Sequence, residues 1–194
     1  MLELPELTPE AFEILVVREL RKVGLEVSAL RIHRRTTLPE PERGYLLELK
    51  GVLSRVDWQT PVLIACRRQA APIAAADIAS VRAHLEEVGV PVGILFSTAP
   101  VTPEALSAAT DGSVVLLRVA DGRTAFDTSG WGTPGHYPAW LPAYCAQAVD
   151  RDVLGEPRYQ LLESGHGEVI VRQILRSDAR RGPDGAGPPR GAPA

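Results

Sequence analysis

At 194 residues, 45% of them hydrophobic and 23% charged, the chain is long enough for one ordinary domain with trimmings and apolar enough to bury a core unaided by disulfides or metal. A formal charge of -3 excludes coating of nucleic acid by bulk positive charge, so any DNA contact needs a local basic patch. Two cysteines (Cys66 and Cys145), an acidic start and no apolar run near the roughly 20 residues of a membrane span point away from secretion and membranes and toward a reducing cytoplasm.

Thr8-Pro9-Glu10 opens a helix, with Thr as cap, Pro at the first helical position and an acid in the first turn. Phe12, Leu15, Val16, Leu20 and Val23 then recur at helical spacing until Gly24 ends the segment. Residues 26–36 alternate as a strand. Pro39 and Pro41 mark a loop, and a second strand runs from Tyr45 to Leu53. A turn near Trp58 leads into Val62-Leu63-Ile64-Ala65-Cys66, whose unbroken apolar character fits a central strand buried on both faces. Ile78, Val81 and Leu85 give the stripe of a second helix that Gly89 closes. Val90 to Phe96 is a further buried strand, Thr102-Pro103-Glu104 caps a short helix, and Val114 to Val119 is a strand closed by Asp121-Gly122. The order helix, three strands, helix, strand, helix, strand implies an α/β sandwich with a mixed sheet flanked by helices.

The composition changes after Arg123, so residues 1–123 read as the main domain and 124–176 as an extension packed on it. Within that extension, residues 130–142 are expected to be irregular, 144–149 a short helix, and 167–175 a strand. From Ser177 to Ala194 Gly, Pro, Ala and Arg dominate with no apolar period, as in a disordered tail.

Several phrases in this order resemble the Mrr-type branch of the PD-(D/E)XK restriction-endonuclease superfamily. They are Thr8-Pro9-Glu10-Ala11-Phe12-Glu13 before the helix ending Val23-Gly24, and Tyr45-Leu46-Leu47-Glu48 on a strand. Val62-Leu63-Ile64-Ala65-Cys66-Arg67-Arg68, Gly93-Ile94-Leu95-Phe96-Ser97-Thr98, Thr102-Pro103-Glu104-Ala105 and Asp121-Gly122 complete the set. The resemblance implies a restriction-endonuclease-like fold and DNA as the target. It also implies Mg²⁺-assisted phosphodiester hydrolysis, in which acids on two neighbouring strands hold the ion and a Lys two residues after the second acid faces the attacking water.

Carried over, the resemblance places Glu13 at the helix acid and Glu48 at the first strand acid, with both as metal ligands. Ala65 falls at the second ligand position and offers no oxygen. Arg67 falls at the Lys position, where its guanidinium cannot act as a base but can face a phosphate. Lys50 shares the strand face of Glu48, and Gln69 shares that of Ala65; each reads either as a compensating group or as a solvent-side polar residue. Arg31, His33, Arg34 and Arg35 form a basic cluster that, with Arg68, is a candidate for phosphate contacts or simply a solvated strand end. Arginine abundance alone argues nothing, because only Lys22 and Lys50 among the 21 basic residues are lysine. His33, His84, His136 and His166 stand at no mutual ligand spacing, so zinc is not expected. Cys66 reads as a packed core residue, and Trp131, Tyr137 and Trp140 as staples or base-stacking rings. The functional expectation is a DNA-directed domain with weak or lost cleavage, using Mg²⁺ if active. The competing expectation is a non-catalytic protein-interaction module that kept the fold.

Overall fold

A computed structural model describes residues 6–39, 44–56, 58–110, 114–165, 167–168 and 170–174. Its opening helix α1 (Pro9–Lys22) starts where the sequence says it should: the Thr8 hydroxyl accepts the Ala11 N–H at 3.2 Å, and Pro9 occupies the first turn. Phe12, Leu15, Val16 and Leu20 are its buried stripe, each contributing about 1.5–3 kcal/mol on leaving water. After α1 come β1 (Glu26–Thr37), β2 (Tyr45–Arg55), β3 (Trp58–Arg68), α2 (Ala75–Val88), β4 (Val92–Ser97), α3 (Pro103–Thr110), β5 (Val114–Asp121), α4 (Gly122–Ser129), β6 (Tyr144–Arg151) and β7 (Pro157–Leu161).

The seven strands form one sheet in chain order. β1, β2 and β3 pair antiparallel, β3, β4 and β5 parallel, and β5, β6 and β7 antiparallel again. The parallel crossovers need a helix each, which α2 and α3 supply. Period-two alternation sorts the central strands between two cores. Leu47, Leu49, Ile64, Cys66, Ile94 and Leu117 pack toward α1, whereas Leu63, Ala65, Leu95 and Leu116 pack toward α2 and α3. The result is the expected restriction-endonuclease-like α/β arrangement, a mixed sheet covered on both faces.

Beyond β5 the sequence expectations need correction. Asp121 does not merely close a strand; its carboxylate accepts the Thr124 N–H at 2.9 Å and caps α4. Residues 144–149, expected as a short helix, form β6, because Ala146 and Ala148 are the small residues that fit between β5 and the core on the α1 side. Helix propensity yields there to packing. The expected strand at 167–175 is helical at residue 168 and over 170–174, and Ile170 and Ile174 are buried in the α1-side core. Asp57, His166 and the expected tail at 177–194 lie outside the described residues.

One edge of the sheet is β1, irregular by construction. Its register with β2 shifts between Ser28 and Arg31 and again between Ile32 and Arg34, and Ala29 sits at a φ of 52°, in the left-handed region that L side chains disfavour. The other edge is β7, five residues long and starting at Pro157.

A buried carboxylate ties α1 to β6. Glu19, 2% exposed, accepts the Ala146 N–H at 3.0 Å, the Arg18 guanidinium at 2.9 Å and the Lys22 ammonium at 2.5 Å. Glu19→Ala leaves a buried backbone donor without a partner and is expected to lower the unfolding free energy by about 2–3 kcal/mol. Urea denaturation measures this directly; a loss within about 0.5 kcal/mol, as for an ordinary surface substitution, contradicts the tie.

Candidate functional site

Glu48 on β2 pairs in register with Ala65 on β3, and both side chains are fully buried on the α2 side of the sheet. Three residues from other elements converge on Glu48 and one another. His84 of α2 places Nδ1 2.6 Å from Oε1, and Arg34 of β1 places Nε 3.7 Å from Oε2. Arg34 also donates from Nη1 to His84 Nε2 at 2.5 Å and from Nη2 to Glu87 at 3.3 Å. A guanidinium has no acceptor, so Nε2 must accept; the imidazole proton therefore sits on Nδ1 and is donated to Glu48. Glu48 Oε2 has no hydrogen-bond partner among the described residues, only the Arg34 charge.

Arg67, two residues along the same face from Ala65, donates from Nη1 to Asp77 at 2.5 Å. Asp77 also accepts the Ala74 N–H at 2.9 Å, so one carboxylate satisfies the start of α2 and holds Arg67. Lys50 shares the face of Glu48 and donates to the Val88 carbonyl at 3.3 Å, at the negative end of the α2 dipole. Gln69 lies just past the end of β3, buried, with its amide donating to the Ala71 carbonyl at 2.8 Å. Its side chain is engaged with its own loop.

Glu13 does not join this cluster. It belongs to α1, which packs on the opposite face of the sheet, and its negative charge adds to burial in raising the pKa of the Cys66 thiol. Glu13 and Glu48 are thus divided by the sheet and do not converge on one ion, a correction to the expected ligand pair. The basic cluster divides as well. Arg34, and Arg31 opposite Lys50, face the α2 side. Arg35, opposite Leu47 and 3.3 Å from Glu10, faces the α1 side, as does Arg68 opposite Tyr45. The thiols are not nucleophiles: burial pushes Cys66 far above the ordinary range and Cys145 up to about 11.

These residues do not fit Mg²⁺. The ion wants near-octahedral oxygen ligation, but Ala65 supplies a methyl group and Glu48 Oε1 is taken by His84. The approach to Oε2 is held by a guanidinium of like charge to the ion. Among the described residues no group of three or more His, Cys, Asp or Glu is gathered to hold a metal.

Sequence reading missed His84, Asp77 and Glu87. A signal was present: Asp77 and His84 are seven residues apart and Glu87 follows three later, which puts all three on one side of α2. Comparing the histidines only with one another, as ligands, passes over the strand acid that His84 meets on the α2 side of the sheet.

No helix among the described residues is long and apolar enough to cross a membrane. Comparison with known proteins found no curated relative and no solved structure. A family model described as restriction endonuclease matches residues 4–122, from the approach to α1 through the start of α4. With more than half of its 194 residues matched, the chain belongs to the Mrr-type restriction-endonuclease family.

Proposed function

We propose that this chain is a DNA-directed domain of nuclease descent in which metal-dependent phosphodiester hydrolysis is weak or lost. One observation carries the reading: the acid Glu48 is buried against His84 and Arg34, with a methyl group at position 65 where a second oxygen donor is needed. Basic side chains also stand on that side of the sheet. Exposed Arg31 lies opposite Lys50 across the β1–β2 pair, and such groups position a phosphate backbone without reading sequence. A cytoplasmic setting suits the two free, buried thiols.

The test pairs cleavage with binding. Supercoiled plasmid incubated with Mg²⁺ or Mn²⁺ is expected to show at most trace nicking, unchanged by Glu48→Ala. Duplex binding, followed by fluorescence anisotropy, is expected to survive a chelator and to weaken in Arg31→Ala, with the salt slope falling by about 0.9 for each phosphate no longer neutralised. Metal-dependent nicking that disappears in Glu48→Ala contradicts the loss of activity. Absence of duplex binding favours the second reading, a protein-interaction module. That reading draws on Trp131 and Trp140, 44% and 69% exposed, which lie past the residues the family model matches.

A further inference from the structure

Helix α1 carries two stripes. Phe12, Leu15, Val16, Glu19 and Leu20 face the sheet and are buried. Two residues on, or about 200° around the helix, a second stripe faces away from the core. Its residues, Glu10, Glu13, Ile14, Val17, Arg18 and Arg21, line an open groove of about 660 Å³. Ile14, at the middle, is 70% exposed, and Val17 beside it is half-buried. The acids sit toward the amino end and the arginines toward the carboxyl end, as the helix dipole prefers. The dipole does not account for the branched apolar side chains left in water between them. Nor do these charges pair within the helix: Glu13 and Arg18 are five residues apart and Glu10 and Arg21 eleven, outside the three- or four-residue spacing of helical pairs. Glu10 lies 3.3 Å from Arg35, and Arg18 donates from Nε and Nη2 to Glu19 and from Nη2 to the Tyr144 carbonyl. Among the described residues Glu13 and Arg21 have no ion-pair partner, and Arg18 Nη1 makes no hydrogen bond.

This stripe is its own complement when reversed. Glu10 with Arg21, Glu13 with Arg18, and Ile14 with Val17 are three pairs centred on one point, between Leu15 and Val16. A second α1 laid antiparallel across that point sets each acid against an arginine of the other copy and each apolar residue against an apolar one. We propose that this face of α1 joins two copies of the chain about a two-fold axis, with Ile14 and Val17 at the centre and four Glu–Arg pairs around them. Parallel pairing would set Glu on Glu and Arg on Arg, so the charges select one orientation. The chain's own residues 177–194 are a poorer cover, since their apolar side chains are only alanine and proline. The contact is about 16 Å long and one helix wide, less than the roughly 800 Å² per partner of a standard interface. Association is therefore weak and salt-sensitive, with a Kd on the order of 10–100 µM. The inference goes beyond the reading above and needs neither DNA binding nor cleavage.

Sedimentation velocity of the full chain without DNA, from about 1 to 300 µM, tests it. Monomer is expected at the low end and dimer at the high end, with the dimer weakened by added salt. Glu10→Arg and Arg21→Glu each set two like-charge pairs across the axis, and each should weaken association by about tenfold or more. Both positions are exposed, so thermal melts of the variants should stay within a few degrees of wild type. Mixed one to one, the two variants should associate as tightly as wild type, because each supplies the charges the other lacks. Placing both changes in one chain should likewise restore the homodimer. Neither a damaged fold nor a contact elsewhere on the molecule gives that recovery. A chain that stays monomeric at the highest concentration, leaving the stripe to residues 177–194 or to another protein, overturns the proposal. So does a dimer that neither reversal weakens, or one that the mixture fails to restore.

Discussion

Ala65→Glu is expected to unfold the domain rather than rebuild a nuclease site. On sequence grounds the substitution restores a lost ligand. In the fold, Ala65 is 0% exposed in the core beneath α2 and α3, with Leu63, Ile73 and Ile78 in the same cluster. The larger side chain overpacks that layer, at about 1–3 kcal/mol, and brings a carboxyl group into it without a donor, at about 1–3 kcal/mol more. Glu48 is its in-register neighbour, so a second buried acid would stand beside the first. Against a total stability of about 5–15 kcal/mol, a combined loss of about 2–6 kcal/mol, before the repulsion between the two acids is added, removes a large share of the folding free energy. Combining it with Arg67→Lys makes matters worse, because the Asp77 ion pair loses its fork. Circular dichroism melts and calorimetric titration with Mn²⁺ decide the point. A variant that melts within a few degrees of wild type and takes up the ion refutes the picture of a closed, repacked site.

A fragment ending at Arg123 is expected to aggregate rather than fold, although it contains all the residues that match the family. β5 is an interior strand: β6 pairs along it from Leu117 to Asp121. Removing residues beyond 123 exposes that hydrogen-bonding edge and strips Ala146, Ala148, Leu162, Ile170 and Ile174 from the core shared with α1. It also leaves Glu19 without the Ala146 N–H. The consequence should be a non-cooperative urea transition and material in the void volume of a sizing column. A monomeric fragment with a sharp transition shows instead that 1–123 is a complete folding unit and that the following residues only decorate it.

The first two thirds of the fold were legible because each element there carries its own local instruction. Thr8-Pro9 sets a helix start, Gly89 at a φ of 64° ends α2, and the unbroken apolar run of β3 belongs between two helical layers. The facing of Glu48 and Ala65 on neighbouring strands was implied by the family resemblance, and the register pairs them. Later elements were opaque for physical reasons. β6 uses alanines, which favour helices in isolation, and becomes a strand only because β5 offers an edge and α1 a shallow floor. β7 is short, half-exposed and begins with proline, so it has no buried periodicity to detect. Of the site, the missing oxygen at position 65 was visible. The constellation around Glu48 was not, since Arg34, Glu48 and His84 come from three elements and share no sequence spacing.

The irregular margin at β1 has a consequence for how the molecule behaves when crowded. A straight outer strand invites a neighbour's backbone to zip along it and start a growing ribbon. Here the ladder breaks twice, and Ala29 bends the main chain out of the pleat, so an incoming strand loses its alignment after a few residues. At the far rim, proline denies a donor at the first rung of β7. With both rims blunted, neither edge offers the straight, fully donating strand on which a ribbon of copies would grow.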